Sequence, residues 1–182
     1  MPACESAEML FKVGGASAEV SLDALVVLIA KRLMLGADVA VTKFIDGTRI
    51  DDPIREKEIL DWVANSPTGG SLGRETAVAF FQDQIAANKI LQRGLHNYWR
   101  ANPDDFPVGR RDLIEEIRPQ LNTINNHMML LLLSIPHLSR DQLTAGNHLL
   151  DVKLVANLYL RQLGDIRHEA ACVALRSLGE VD

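Results

Sequence analysis

No apolar run in this chain is long enough to cross a bilayer. The longest, Met128 to Leu133 followed by Ile135, falls well short of the roughly 20 residues a spanning helix needs. It reads as a short buried helix segment, so no membrane span is expected. Cysteine is nearly absent: Cys4 and Cys172 are the only two among 182 residues. They read equally as one disulfide between the N-terminal tail and the last helix or as two unrelated thiols. A third reading takes Cys4 as the anchor cysteine of a trimmed lipoprotein, on the strength of the small Ala3 before it. Positive charge is not in excess either. A net charge of −5 excludes a general basic surface for nucleic acid, so any anion site must be local. The N-terminus, Met1-Pro2-Ala3-Cys4-Glu5, has no basic start and no long apolar core. No signal peptide is visible, and a chain trimmed to its mature form would read the same way.

Chemical motifs are missing as well. There is no G-x-S-x-G element, no glycine-rich phosphate loop and no nucleophile with an evident base beside it. The Glu-x-x-His pairs of di-iron bundles are absent, and His96, His127, His137 and His148 form no ligand spacing. His168-Glu169-Ala170-Ala171-Cys172 has Cys where a zinc helix motif needs its second His, so a solvated helix face is expected there. No metal and no cofactor are expected. Strand signals are lacking too, with no sustained period-2 alternation and no hairpin dipeptide between apolar runs.

What remains is a helical pattern. Apolar residues at 47% and charged residues at 24% suit one globular domain with its own core. Residues 1–20, rich in Ala, Gly, Ser and Glu, are expected to form a flexible tail, and residues 21–182 a single all-α bundle of long helices. Ser21 is a good N-cap for a first helix from Leu22 to Phe44, ended by the turn Asp46-Gly47-Thr48. Asp52-Pro53 reads as N-cap plus N1 of a short helix to about Ala64. Asn65 to Gly70 reads as a loop. A third helix starts at Ser71 or Thr76 and runs to about Asn102. A fourth covers Arg111 to Ile135, bent or divided at Pro119 and ended by Pro136. Ser139-Arg140-Asp141-Gln142 is a capping box opening a last helix that carries to about Ser177.

Polar residues on the inward faces are the strongest signal. Leu25, Ile29, Gly36, Val39 and Ala40 share one face of the first helix, and Arg32 and Lys43 fall on that face. They lie 11 residues apart, about three turns, roughly 20° out of line. Unpaired cations are very costly to desolvate. Two of them aimed inward, with the small Gly36 and Ala40 clearing space between them, point to an anion pocket. The third helix repeats the anomaly. Its stripe of Phe81, Ile85, Leu95 and Trp99 is interrupted by Asn88 and Gln92, and buried amides need partners. Arg118 intrudes between Ile117 and Leu121 on the fourth helix, whose other inward positions are Ile114, Ile124 and Met128. Any one of these alone reads as a snorkelling edge residue or an amide capping a neighbour. Together they point to a buried site for an anionic ligand.

Arg32-Leu33, Lys43, Asp52-x-x-Arg55-Glu56 and Asn88-x-x-x-Gln92 resemble the all-helical chorismate mutases. Arg118 followed by Leu121-Asn122-x-x-Asn125-Asn126 looks like their longer, exported subclass. The resemblance implies an isomerase that turns chorismate into prephenate, a shikimate-pathway step toward aromatic amino acids. It implies a concerted [3,3] rearrangement with no proton transfer and no covalent intermediate. By resemblance, Lys43 and Gln92 are the catalytic residues, donating to the breaking ether oxygen. Arg32 and Arg118 clamp the two carboxylates, Glu56 accepts from the ring hydroxyl, and Asp52 and Arg55 shape that end of the site. Asn88 stands where relatives often carry Ser or Thr, and would contact a carboxylate. Shorter relatives borrow one arginine across a dimer. Here Arg118 would fill that role in cis, giving a complete site in each chain of a homodimer. The resemblance also implies a periplasmic or secreted protein, although the cysteine pair that some exported relatives carry near the C-terminus is missing. The alternatives are an isochorismate pyruvate-lyase, which shares fold and cations, and a non-catalytic helical module that binds a carboxylate.

Overall fold

The computed structural model describes residues 5–135 and 137–179, and the described residues are helical without a strand; one isolated bridge joins Leu138 and Gly179. The helices are α1 (Glu5–Asp46), α2 (Pro53–Asn65), α3 (Pro67–Leu72), α4 (Arg74–Ala101), α5 (Arg118–Leu132), α6 (Arg140–Val155) and α7 (Asp165–Leu175). A π-helical turn, Leu113–Ile117, leads directly into α5. α4 is central, packing against α1, α2 and α7, while α5 and α6 pack on α1. Leu25, Ile29, Leu33, Phe80, Phe81, Leu91, Leu95 and Met128 are among the fully buried side chains of the core. The expected all-α class holds.

Local signals account for most boundaries. Gly47 at φ +63° follows α1 directly, in the left-handed region glycine enters without steric cost. Asp52 caps α2, its Oδ1 accepting from Arg55 N at 3.1 Å, with Pro53 in the first turn. The capping box at Ser139 and Gln142 is present. Pro119 stands in the first turn of α5, just after the π-helical turn, so the expected junction of two segments lies there.

Four expectations need correction. α1 begins at Glu5, not at Ser21, so residues 5–20 continue the helix and Ser21 lies inside it. That stretch holds several good helix formers and no proline to break it. The expected loop at 65–70 gives way to α3 from Pro67 onward, because Ser66-Pro67 repeats the Asp52-Pro53 signal: Ser66 Oγ accepts from Gly69 N at 2.9 Å. The last helix is not continuous. Asn157 Oδ1 accepts from Tyr159 N and Leu160 N at 2.9 and 3.1 Å, diverting the backbone as Asn side chains do at turns. A 3₁₀ turn over Leu160–Leu163 and Gly164 at φ +49° then separate α6 from α7. Ile114 is exposed instead of inward, because the π-helical turn changes the angular register of residues 113–117. Pro136 and Cys4 lie outside the described residues, and the proposed Cys4–Cys172 pairing lies there with Cys4.

Candidate active site

α1 supplies two cations. Arg32 is 4% exposed, and its guanidinium donates from Nε to Asn125 Oδ1 at 3.1 Å and from Nη1 to the Gln84 carbonyl at 3.0 Å. Burial pushes its pKa down to about 10, which still leaves it charged at neutral pH. Lys43, three turns on, donates from Nζ to the Ile50 carbonyl at 2.6 Å. Burial holds this ammonium below the ordinary lysine range. Asp52, Glu56 and Asp51 pull the other way, and Arg118 adds to the push of burial. Between the two cations, a Cβ on Gly36 would come 1.7 Å from Asn88 Oδ1. The room expected beside Gly36 is therefore taken by the Asn88 amide.

α2 contributes carboxylates and a third cation. Glu56 Oε1 accepts from Asp52 N at 3.3 Å, and both its oxygens accept from Lys89 Nζ at 3.2 and 3.1 Å. Lys89 also pairs with Asp51 Oδ1 at 3.0 Å, and Arg93 pairs with the same oxygen at 2.8 Å. Arg55 donates to Glu58 Oε2 and to Asn122 Oδ1 on α5, both at 2.9 Å.

The α4 amides are buried. Gln92 Nε2 donates to Asn88 Oδ1 over a long 3.4 Å. Gln92 Oε1 has no hydrogen-bond partner among the described residues, the kind of unmet group that costs about 1–3 kcal/mol when desolvated. One turn further, His96 Nε2 bonds to the Ala40 carbonyl at 2.9 Å and fixes α4 on α1. Burial lowers the His96 pKa, favouring the neutral ring.

Arg118 reaches the site from α5. The segment before it is strapped to α1 by Arg111, which pairs with Asp38 at 2.8 Å and accepts through its carbonyl from Thr42 Oγ1 at 3.3 Å. Asp112 Oδ1 then caps the π-helical turn, accepting from Ile114 N and Glu115 N at 2.8 and 2.7 Å.

Arg32, Lys43, Asp52, Arg55, Glu56, Asn88, Gln92 and Arg118 all line one cavity of about 110 Å³, with Val39, Ile50, Ile85 and Leu121 among its apolar walls. Every residue predicted for the site is thus brought together by α1, α2, α4 and α5. Lys89 and Asn125 line it as well. Lys89 went unnoticed in the sequence, although Ile85, Lys89 and Gln92 stand at i, i+4 and i+7, the spacing of one helix face. A neighbouring cavity of about 320 Å³ shares Arg55, Ile59 and Asn125 with the first. With five cations against two carboxylates in its lining, the smaller cavity suits a small polyanion.

Residues 23–93 match the family described as chorismate mutase type II. The secreted chorismate mutase of Mycolicibacterium smegmatis is 30% identical over 100 residues, a stretch that spans 55% of each chain. This match therefore covers only about half the length of that relative. Over nearly the whole chain the fold is similar to solved structures. The chorismate mutase of Burkholderia phymatum superposes with a TM-score of 0.73 at 26% identity, over 91% of this chain and 99% of that one. That of Burkholderia thailandensis gives 0.64 at 29% identity, over 87% and 98%. In its family match and in its fold, this chain is similar to the all-helical chorismate mutases. Within the family match lie seven of the eight expected site residues; Arg118 lies outside it, as do Asn122 and Asn125. The cavity lining carries no cysteine, serine or histidine.

Proposed function

We propose that this protein converts chorismate to prephenate in the cavity between α1, α2, α4 and α5. The observation that carries the reading is the convergence of Arg32, Lys43, Gln92 and Arg118, from three helices of one chain, on a single cavity. A concerted [3,3] rearrangement requires two things of the protein. The flexible dicarboxylate must be held with its enolpyruvyl arm folded over the ring, and the charge growing on the ether oxygen must meet fixed donors. Arg32 and Arg118 clamp the two carboxylates through guanidinium forks suited to bidentate contact. Lys43 donates to a carboxylate and to the ether oxygen. Gln92 donates to that oxygen through Nε2, exchanging its long contact with Asn88 for one that strengthens as charge develops. Glu56, anchored by Lys89 and the Asp52 amide, accepts from the ring hydroxyl. Asp52 and Arg55 shape that end, and Asn88 supplies an amide to a carboxylate.

In this reading the protein works outside the cytoplasm, as does the relative named a secreted chorismate mutase. It forms a homodimer in which each chain holds a complete site, since the clamping arginines 32 and 118 belong to the same chain. Purified protein supplied separately with chorismate and isochorismate tests the activity. Prephenate from chorismate supports the reading. Salicylate and pyruvate from isochorismate, with chorismate untouched, would overturn it.

A further inference from the structure

α5 does more than deliver Arg118. Arg118, Asn122 and Asn125 stand at i, i+4 and i+7, so they share one helix face. Each amide on that face receives an arginine from another helix. Asn125 Oδ1 accepts from Arg32 Nε at 3.1 Å, and Asn122 Oδ1 accepts from Arg55 Nη2 at 2.9 Å. We infer that Asn122 and Asn125 are positioning residues, through which α5 sets the aim of all three arginines lining the cavity. The inference rests on the mutase reading of that cavity and deepens it by naming what orients its cations.

The chemistry at Arg32 is restrictive. A guanidinium has five N–H donors in a rigid plane. With Nε spent on Asn125 and one Nη1 hydrogen on the Gln84 carbonyl, three donors on Nη1 and Nη2 remain for a carboxylate. Losing Asn125 frees the plane to rotate about its long stem. The amide oxygen must face the arginine, since an N–H there would oppose a cation, so the Asn125 orientation is itself determined. Asn125 is 3% exposed, and the face it shares with Arg118 ties two substrate contacts to one helix register. Asn122 acts on the rim, where Arg55 is partly solvated and also held by Glu58 at 2.9 Å; its effect is the smaller.

Asn125→Ala, Asn125→Asp and Asn122→Ala variants test this by steady-state kinetics on chorismate, with thermal melts run alongside. Asn125→Ala is expected to raise KM about tenfold, as loss of one hydrogen bond to a charged group would, with kcat within about threefold. Asn125→Asp should raise KM further, because its carboxylate competes with the substrate for Arg32. Asn122→Ala should raise KM about threefold, within the range of a partly exposed contact. In an Arg55→Ala background Asn122→Ala should then have no further effect, the non-additivity of residues that act as one unit. A lowered Tm with unchanged KM in Asn125→Ala, or additive effects in the Arg55 cycle, would overturn the positioning role. If the parent protein binds chorismate without turnover, the mutase reading fails alone, and the same variants read by calorimetric Kd decide the positioning role. If it neither binds nor converts chorismate, both fall.

Discussion

Arg32 on α1 and Arg118 on α5 line the same cavity, but their surroundings differ. Arg32 is buried, held at two of its nitrogens by Asn125 and Gln84, and pushed down in pKa by its dry surroundings. Arg118 is only partly buried, and among the described residues its guanidinium makes no hydrogen bond or ion pair. The first belongs to the core as much as to the site. The second is held by its backbone alone, through the strap that Arg111 and Asp112 form before it. Under the proposed function, preorganisation at Arg32 would lower the entropy lost on binding, and freedom at Arg118 would let it close on a carboxylate.

Breaking the link between the two should cost most at Lys43, which shares a helix with Arg32 and feels the charge of Arg118. Lys43→Ala should lower kcat by about 10²–10³-fold, the ~3–4 kcal/mol typical of one preorganised donor; a variant keeping more than about a tenth of kcat would remove Lys43 from the ether oxygen. Next, Arg118→Ala and Arg32→Ala should both raise KM, by about 10–100-fold for a bidentate charged contact. Only Arg32→Ala should also lower unfolding stability, by about 1–3 kcal/mol for each buried acceptor left unmet at Asn125 and Gln84. Equal losses in denaturant melts would erase the distinction between the two arginines.

Gly36→Ala presses on the same wall more gently. Its Cβ would meet Asn88 Oδ1, so stability should fall by about 1–3 kcal/mol, as overpacking does, with a raised KM from the displaced amide. A wild-type melt and KM would show that the helix shifts to make room instead. The pH profile should be flat between about pH 5 and 8 as far as Gln92 decides it, since an amide does not titrate. At higher pH, kcat should fall. The protonated ammonium is the active form, and a lowered pKa means Lys43 loses its proton sooner than an ordinary lysine as pH rises. A steep fall between about pH 5 and 8 would instead count against Gln92 as the donor, because an amide keeps its N–H throughout that range. The smallest effect is expected on dilution: specific activity should stay constant through dissociation of the proposed homodimer, because Arg32 and Arg118 are on one chain.

The site was legible in the sequence wherever a residue type broke a periodic apolar face. Arg32 and Lys43 on α1, Asn88 and Gln92 on α4 and Arg118 beside Leu121 were each visible as polar intrusions. Asp52-Pro53 was readable as a cap because its chemistry is local. Lys89 was not, since it borders the polar edge of α4 and its bond to Glu56 spans 33 residues. The breaks at Asn157 and Gly164 were missed because apolar residues continue on both sides of them. α3 was missed because short runs such as Gly69-Gly70-Ser71 carry no helical period.

By itself the sequence determined most of the long helices, several of their caps and most of the charged and amide groups turned inward, because propensity, capping and periodicity act over a few residues. The tertiary structure alone decided how those groups meet: which nitrogens of Arg32 are spent, that Asn88 fills the gap at Gly36, and that α5 reaches two arginines on other helices. Those outcomes depend on packing between helices far apart in the chain, and no local period encodes the register of one helix on another.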